Sequence, residues 1–169
     1  MKPLSEIADT IESTPAVLRS LLSPLDPEML RRRPEPGEWC ALEVIGHLIV
    51  TDGAAFRDRI AAIIAGEPEI RGFNPSLELT GRDFAQASLD ELLGELTDGR
   101  AEAAAFVRSL DPADLERTAA YRGTIFRAGD FVHEWPFHDQ DHLQQILAAV
   151  KPGYLPHMSA AMQQALQDD

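Results

Sequence analysis

Apolar residues recur at steps of three and four along most of the chain, and this periodicity restricts it to amphipathic helices. Leu4, Ile7, Ile11, Leu18, Leu21, Leu22 and Leu25 draw a first stripe. Ala41, Val44, Ile45, Leu48, Phe56, Ile60 and Ile63 draw a second, predicting a helix from near Cys40 to Ile64 that Gly66 and Pro68 stop. A third opens at Ser88-Leu89-Asp90-Glu91, a capping box in which serine and glutamate satisfy each other's orphan amides. Its stripe is Leu89, Leu92, Leu93, Leu96, Ala103, Phe106, Val107 and Leu110. A fourth, from about Gly129 to Val150, carries Phe131, Trp135, His138, His142, Ile146 and Ala149 at helical spacing. Four rods that must each bury one face make an all-α protein, a four-helix bundle.

The punctuation between the rods fills in the rest. Thr14-Pro15 reads as a cap followed by a first-turn proline, which predicts a kink or two abutting helices within the first segment. Asp26-Pro27 repeats that start signal for a short accessory turn to about Leu30, and Arg33-Pro34-Glu35-Pro36-Gly37 is a loop. Glu67 to Phe84, with Gly72, Pro75 and Gly81, is the long crossover connection of the bundle. Asp111-Pro112 starts another short turn, and Thr118 to Arg127 suits a small hairpin around Gly123, too little for a sheet. Pro136 removes one backbone donor inside the fourth helix and predicts a bend there. The expected organisation is one domain over residues 1–169, with a core bundle over about 4–150 and a short, partly helical tail over 151–169.

Charge removes several classes of function. The 169 residues carry a formal net charge of −13, and a phosphate-binding face needs the opposite sign, so no nucleic-acid partner is expected. The single cysteine, Cys40, allows neither an internal disulfide nor a cysteine-rich zinc site and suits a reducing, cytoplasmic setting. Aliphatic runs such as Ala61 to Ala65 are far short of the ~20 residues a membrane helix needs, so no membrane partner is expected.

Three of the five histidines belong together. His138 and His142 stand four apart on one predicted helix, which stacks their imidazoles on one face about 6 Å apart in rise. They share the stripe of Phe131, Trp135, Ile146 and Ala149, so they should point inward. His47 lies on the apolar side of the second rod, in Glu43-Val44-Ile45-Gly46-His47-Leu48. Spacing leaves two readings open. The three rings converge on one divalent metal, whose coordination offsets the cost of burying imidazoles. Alternatively, His47 is a hydrogen-bonded core residue and the other two are solvated.

The same residues carry a family resemblance. Gly37-Glu38-Trp39 leads into Glu43-Val44-Ile45-Gly46-His47-Leu48, and His138-Asp139-Gln140-Asp141-His142-Leu143-Gln144-Gln145-Ile146 follows near the C-terminus. In that order and separation the set resembles the DinB-like superfamily, which includes thiol-dependent transferases acting with bacillithiol or mycothiol. The resemblance implies a DinB-like four-helix bundle holding one divalent metal ion, of zinc, nickel or iron type, on His47, His138 and His142. It further implies a low-molecular-weight thiol as cofactor, a small electrophilic molecule as substrate, a stress-response context and a homodimer. A metal-activated thiolate would attack the electrophile. The alternatives are a metal-dependent hydrolase at the same site and a non-enzymatic metal- or ligand-binding protein.

Nearby residues are weaker candidates. His133 is five residues from His138, about 140° round the helix, and should miss the site. Glu134, Asp139, Asp141 and Glu43 could each orient a ligating ring, although acids on a helix more often face water. Trp39 and Trp135 read as core, with a pocket wall as the second reading, Cys40 as a small buried residue, and His157 as exposed. A di-iron bundle needs Glu three residues before its histidines; none stands there before His47, His138 or His142. Phosphate-cradling loops, nucleophile elbows and the zincin motif are also absent.

Overall fold

The computed structural model describes residues 2–74 and 79–166. Helix α1 (Leu4–Leu22) is followed by the short α2 (Pro27–Arg31). The second rod is α3 (Ala41–Thr51), a π-helical turn (Asp52–Arg57) and α4 (Asp58–Ala65). After the crossover come α5 (Leu89–Ser109), a hairpin of β1 (Thr118–Tyr121) and β2 (Thr124–Arg127), and α6 (Ala128–Val150). A 3-10 turn (Lys151–His157) leads to the short α7 (Ala160–Ala165). The fold is the expected helical bundle. Both α1 and the second rod pack against α5 and α6, so α1 and the second rod face each other diagonally. No helix among the described residues is long and apolar enough to cross a membrane. Pro75, counted above as part of the crossover, lies outside the described residues.

Local chemistry explains the element boundaries. At α5 the amide of Glu91 donates to Ser88 Oγ (3.2 Å) and the amide of Ser88 donates to Glu91 Oε2 (3.0 Å), the capping box in full. Gly66 ends α4 at φ 88°, where a side chain would be strained. The hairpin pairs Tyr121 with Thr124, and its two-residue turn holds Arg122 at φ 50° and Gly123 at φ 81°. Left-handed backbone at both positions matches the twist of the strands. The crossover leans on this hairpin: the Ile70 amide donates to Ala120 O and the Ala120 amide to Pro68 O, both at 2.9 Å.

Two expectations need correction. Of the two readings of the first segment, two abutting helices is overturned: Leu4–Leu22 is one helix with Pro15 inside it. Pro15 has no N–H for the carbonyl of Ile11, and Arg100 Nη1 donates to that oxygen at 3.4 Å. The second rod is not a uniform α-helix either. Its π turn widens the helix by one residue, which turns Asp52 inward while keeping Ala55 and Phe56 buried.

A polar layer divides the interior. One apolar cluster holds Ile7, Ile11, Phe56, Ile60, Val107 and Trp135; another holds Leu18, Leu22, Leu48, Leu96 and Ile146. Along every rod the sequence between the two clusters places a buried polar group: Thr14, Asp52, Arg100 and Asp139. The histidines lie at this level.

Gly46, one residue before His47, is where the crossover meets the second rod. A Cβ there would stand 2.3 Å from the Phe84 ring, inside any real contact. Glycine to alanine within a helix ordinarily stabilises by roughly 0.5–1 kcal/mol. Gly46→Ala is expected to do the reverse, costing about 1–3 kcal/mol in urea unfolding because the Phe84 ring is fully packed. Phe84→Leu in the same chain should recover part of that loss.

Candidate metal centre

The centre is built by two rods that run antiparallel past one another. His47 comes from α3, and His138 and His142 from successive turns of α6. Nε2 of His138 stands 3.1 Å from Nε2 of His47 and 3.1 Å from Nε2 of His142. One ligand atom from each ring fits within a span of 4.8 Å. His47 is buried, whereas the other two are half-buried, so the cluster opens to one side. Trp39 packs over the His47 ring at a centroid distance of 5.0 Å, and Phe56 meets His138 edge-on at 5.2 Å.

The hydrogen-bonding balance of these rings decides whether a cation fits. Gln145 Oε1 lies 2.7 Å from His142 Nδ1, so that nitrogen donates and Nε2 keeps its lone pair toward the cluster. His138 Nε2 then carries either one proton or one lone pair, and neutral rings cannot place an aligned N–H in both of its contacts. Nδ1 of His47 and of His138 are buried without a partner. Three lone pairs meeting at one point with too few protons among them is a donor set for a metal. Nitrogens held tetrahedrally at ~2.0–2.1 Å by one ion stand roughly 3.3 Å apart, close to the 3.1 Å of the two contacts made by His138. Burial, with the neighbouring His142, lowers the pKa of His47 to about 4. Burial also lowers His138, to about 3, with His142, His47 and the Arg100 charge adding to it. His47 and His138 are therefore offered neutral, as ligands must be.

Beneath the centre lies the polar layer. Arg100 is fully buried on α5 and forks onto Asp139, with Nη1 2.5 Å from Oδ2 and Nη2 2.7 Å from Oδ1. Its Nε lies 2.8 Å from Asp52 Oδ2, close enough for an ion pair but without hydrogen-bond alignment. Thr14 Oγ1 donates to Asp139 Oδ2 at 2.6 Å and Trp135 Nε1 donates to Asp52 Oδ1 at 3.0 Å. Burial pushes the Asp52 carboxyl up to about 6, against the pull of Arg100.

The structure sorts the candidates named from the sequence. His47, His138 and His142 come together. His133 misses the cluster, its Nδ1 2.6 Å from Gly129 O. Glu43 serves as a cap instead, accepting from the Cys40 amide at 2.9 Å and pairing with Arg33. Asp139 clamps Arg100 rather than a ligating ring, Asp141 and His157 are exposed, and Cys40 is buried with its thiol pKa raised by desolvation. Trp135 is core, while Trp39 is a half-buried wall of the site. The roles of Gln145, Arg100, Asp52 and Thr14 are not apparent from local sequence. Arg100 did leave a signal, because it stands on the apolar stripe four residues after Leu96 and three before Ala103.

Fold and site together define a class: four-helix bundles that gather histidines from two rods into a centre able to hold a metal. The model of the DinB superfamily matches residues 10–146, and the chain belongs to that superfamily. Among solved structures it is similar to YfiT from Bacillus subtilis, described as a probable metal-dependent hydrolase with an unusual four-helix bundle topology. The two superpose with a TM-score of 0.75 at 17% identity, over 94% of this chain and 95% of that one. No curated protein matches the sequence.

Two predictions test the centre. Gln145→Ala frees the His142 ring to rotate and should weaken divalent-metal affinity about 10–100-fold, read by chelator competition. The second concerns the metal-free protein. An unfolded imidazole takes up its proton near pH 6.5, whereas folded His47 and His138 do so only near 4 and 3. Below pH 6.5 the unfolded chain therefore binds more protons, so this contribution is full above pH 6.5 and is lost as pH falls through 4 and 3. Asp52, raised to about 6, works in the opposite sense between its unfolded and folded values. The histidine contribution is thus read as a difference: stability of His47→Phe should fall less steeply than wild type between pH 6.5 and 4.

Proposed function

We propose that the protein is a metal-dependent enzyme that activates a low-molecular-weight thiol for attack on a small electrophile. The observation that carries this reading is the convergence of three imidazole nitrogens within 4.8 Å of one another with one side left open. When bound there, a divalent ion of zinc, nickel or iron type supplies Lewis acidity that ionises a nucleophile near neutral pH.

The chain's own residues do the rest. Gln145 fixes the tautomer of His142, and Trp39 and Phe56 wall the rings against water. The choice of thiol over water is supported by where the acids are. Among the described residues Glu43 caps α3, Asp139 and Asp52 are committed to Arg100, Asp141 faces solvent, and Glu134, one turn before His138, is exposed and within the field of Arg59. A thiol of pKa near ~8.5 needs little help to ionise, whereas hydrolysis of an amide calls for a positioned acid or base. In the proposed reaction the sulfur bonds to an electrophilic carbon, the leaving group departs with its electron pair, and the thiol proton goes to solvent.

Hydrolysis at the same centre is the second reading, favoured by the description of YfiT as a probable metal-dependent hydrolase. One set of assays separates the two. Protein loaded with zinc or nickel is expected to conjugate N-acetylcysteine to a chloronitrobenzene. His142→Ala should lose at least about 100-fold in kcat/KM together with its stoichiometric metal. Turnover of p-nitrophenyl acetate without any thiol, and no conjugation, would instead establish the hydrolase. Full conjugation by metal-free protein would overturn both.

A further inference from the structure

A cleft lies apart from the centre, none of whose histidines line it. It has a volume of about 520 Å³, between α4 and the start of the crossover, and Arg59, Arg71, Glu67, Glu69 and Phe73 are among its walls. Arg59 is the unusual member. Its guanidinium lies 4.9 Å from the centroid of the Tyr121 ring and 5.5 Å from that of Phe131. Its Nε is enclosed and has no hydrogen-bond partner. Among the described residues no carboxylate lies within ion-pair distance of it. Asp58, its sequence neighbour, is turned to Arg57 at 3.7 Å. A guanidinium half-removed from water by two aromatic faces, with its remaining donors on a cleft, lacks the planar acceptor its fork is shaped for.

The surroundings define that acceptor's chemistry further. Glu67 and Glu69 stand on the same cleft, and Glu134 is close enough for the Arg59 charge to act on it. A polyanion would be repelled by these acids. A molecule with one carboxylate and one ammonium meets complementary charge at both ends, and Phe73 and Ile70 offer apolar contact between them. We infer that this cleft binds a small zwitterion of amino-acid or dipeptide type, its carboxylate held by Arg59 and its ammonium by Glu67 and Glu69.

Arg59 and the centre are both built on the second rod and α6. Glu134 precedes His138 by one turn of α6, about 6 Å of rise, on the same side of the helix. Phe56, which touches the His138 ring, lies between that ring and Arg59 along the second rod.

The test uses alanyl-phenylalanine, its C-terminal amide and its N-acetyl derivative, titrated by calorimetry into the full chain. Each titration is run on metal-free protein, on metal-loaded protein and on His47→Ala, so cleft binding is read apart from the metal centre. The dipeptide is expected to saturate all three forms. Arg59→Met should weaken it tenfold or more, with Arg59→Lys in between. Amidation should cost about as much in wild type and nothing further in Arg59→Met, the sign that the two groups meet. Thermal unfolding of each variant reports that it is folded. Absence of dipeptide binding to wild type, or affinity unchanged within twofold in Arg59→Met, would overturn the inference. Equal binding of the N-acetyl form would overturn the role given to the glutamates. If the metal reading fails while these titrations succeed, the cleft stands as a ligand site on its own.

Discussion

A fully buried guanidinium is the constraint on which this bundle depends. Arg100 enters the interior from α5 and cannot remain there without acceptors, because an ionised group stripped of water costs several kcal/mol. The acceptors come from the other three rods: Asp139 on α6, Asp52 on the π turn, and the Ile11 carbonyl on α1, with Thr14 completing Asp139. An apolar layer of the same volume could hold the rods together as well or better. It could not say how far each rod must slide before packing, since leucine stripes tolerate a slip of one turn. The polar layer fixes that register, because displacing any rod by a turn would leave a charge unpaired.

Register is what the histidines need. His138 is the residue before Asp139, and His47 lies five residues before Asp52, so both ligating rods are anchored next to the residues they present. The π turn belongs to the same arrangement. A continuous α-helix would rotate Asp52 away from Arg100 or Phe56 away from Trp135; the extra residue lets both be satisfied. Phe56 then stacks on Trp135 at 4.9 Å and meets the edge of His138. Helical irregularity here follows from demands made by two layers on one rod.

Periodicity was the most legible property of the sequence, because burying one face of each rod leaves a signal at every third or fourth residue. The four stripes, the capping box at Ser88 and the hairpin at Gly123 all stand where residue chemistry places them. The histidine triad was also visible, since three imidazoles on apolar faces conflict with the local pattern. What escaped detection is non-local. Pro15 reads as a helix break until Arg100 is known to reach the carbonyl it frees, that of Ile11, 89 residues away in sequence. Glu43 and Asp139 look alike as acids near histidines, yet one caps its own helix and the other answers a charge on a different rod. Nothing within a few residues of either distinguishes them.

The electrostatics of the layer and of the centre have to be considered together. Two carboxylates face one guanidinium, and burial has raised one of them, Asp52, to about 6 rather than leaving both fully satisfied. The layer is therefore short of positive charge. Arg100 nonetheless acts on His138, helping to keep that ring neutral, so the two sets of groups lie within each other's field. Filling the imidazole cluster with protons would put positive charge where desolvation and Arg100 both oppose it. A divalent ion held by three neutral nitrogens differs, because direct bonds to nitrogen replace the lost hydration and the surplus carboxylate favours the added charge. The same burial that makes protonation of these rings unfavourable thus makes them competent to bind a metal.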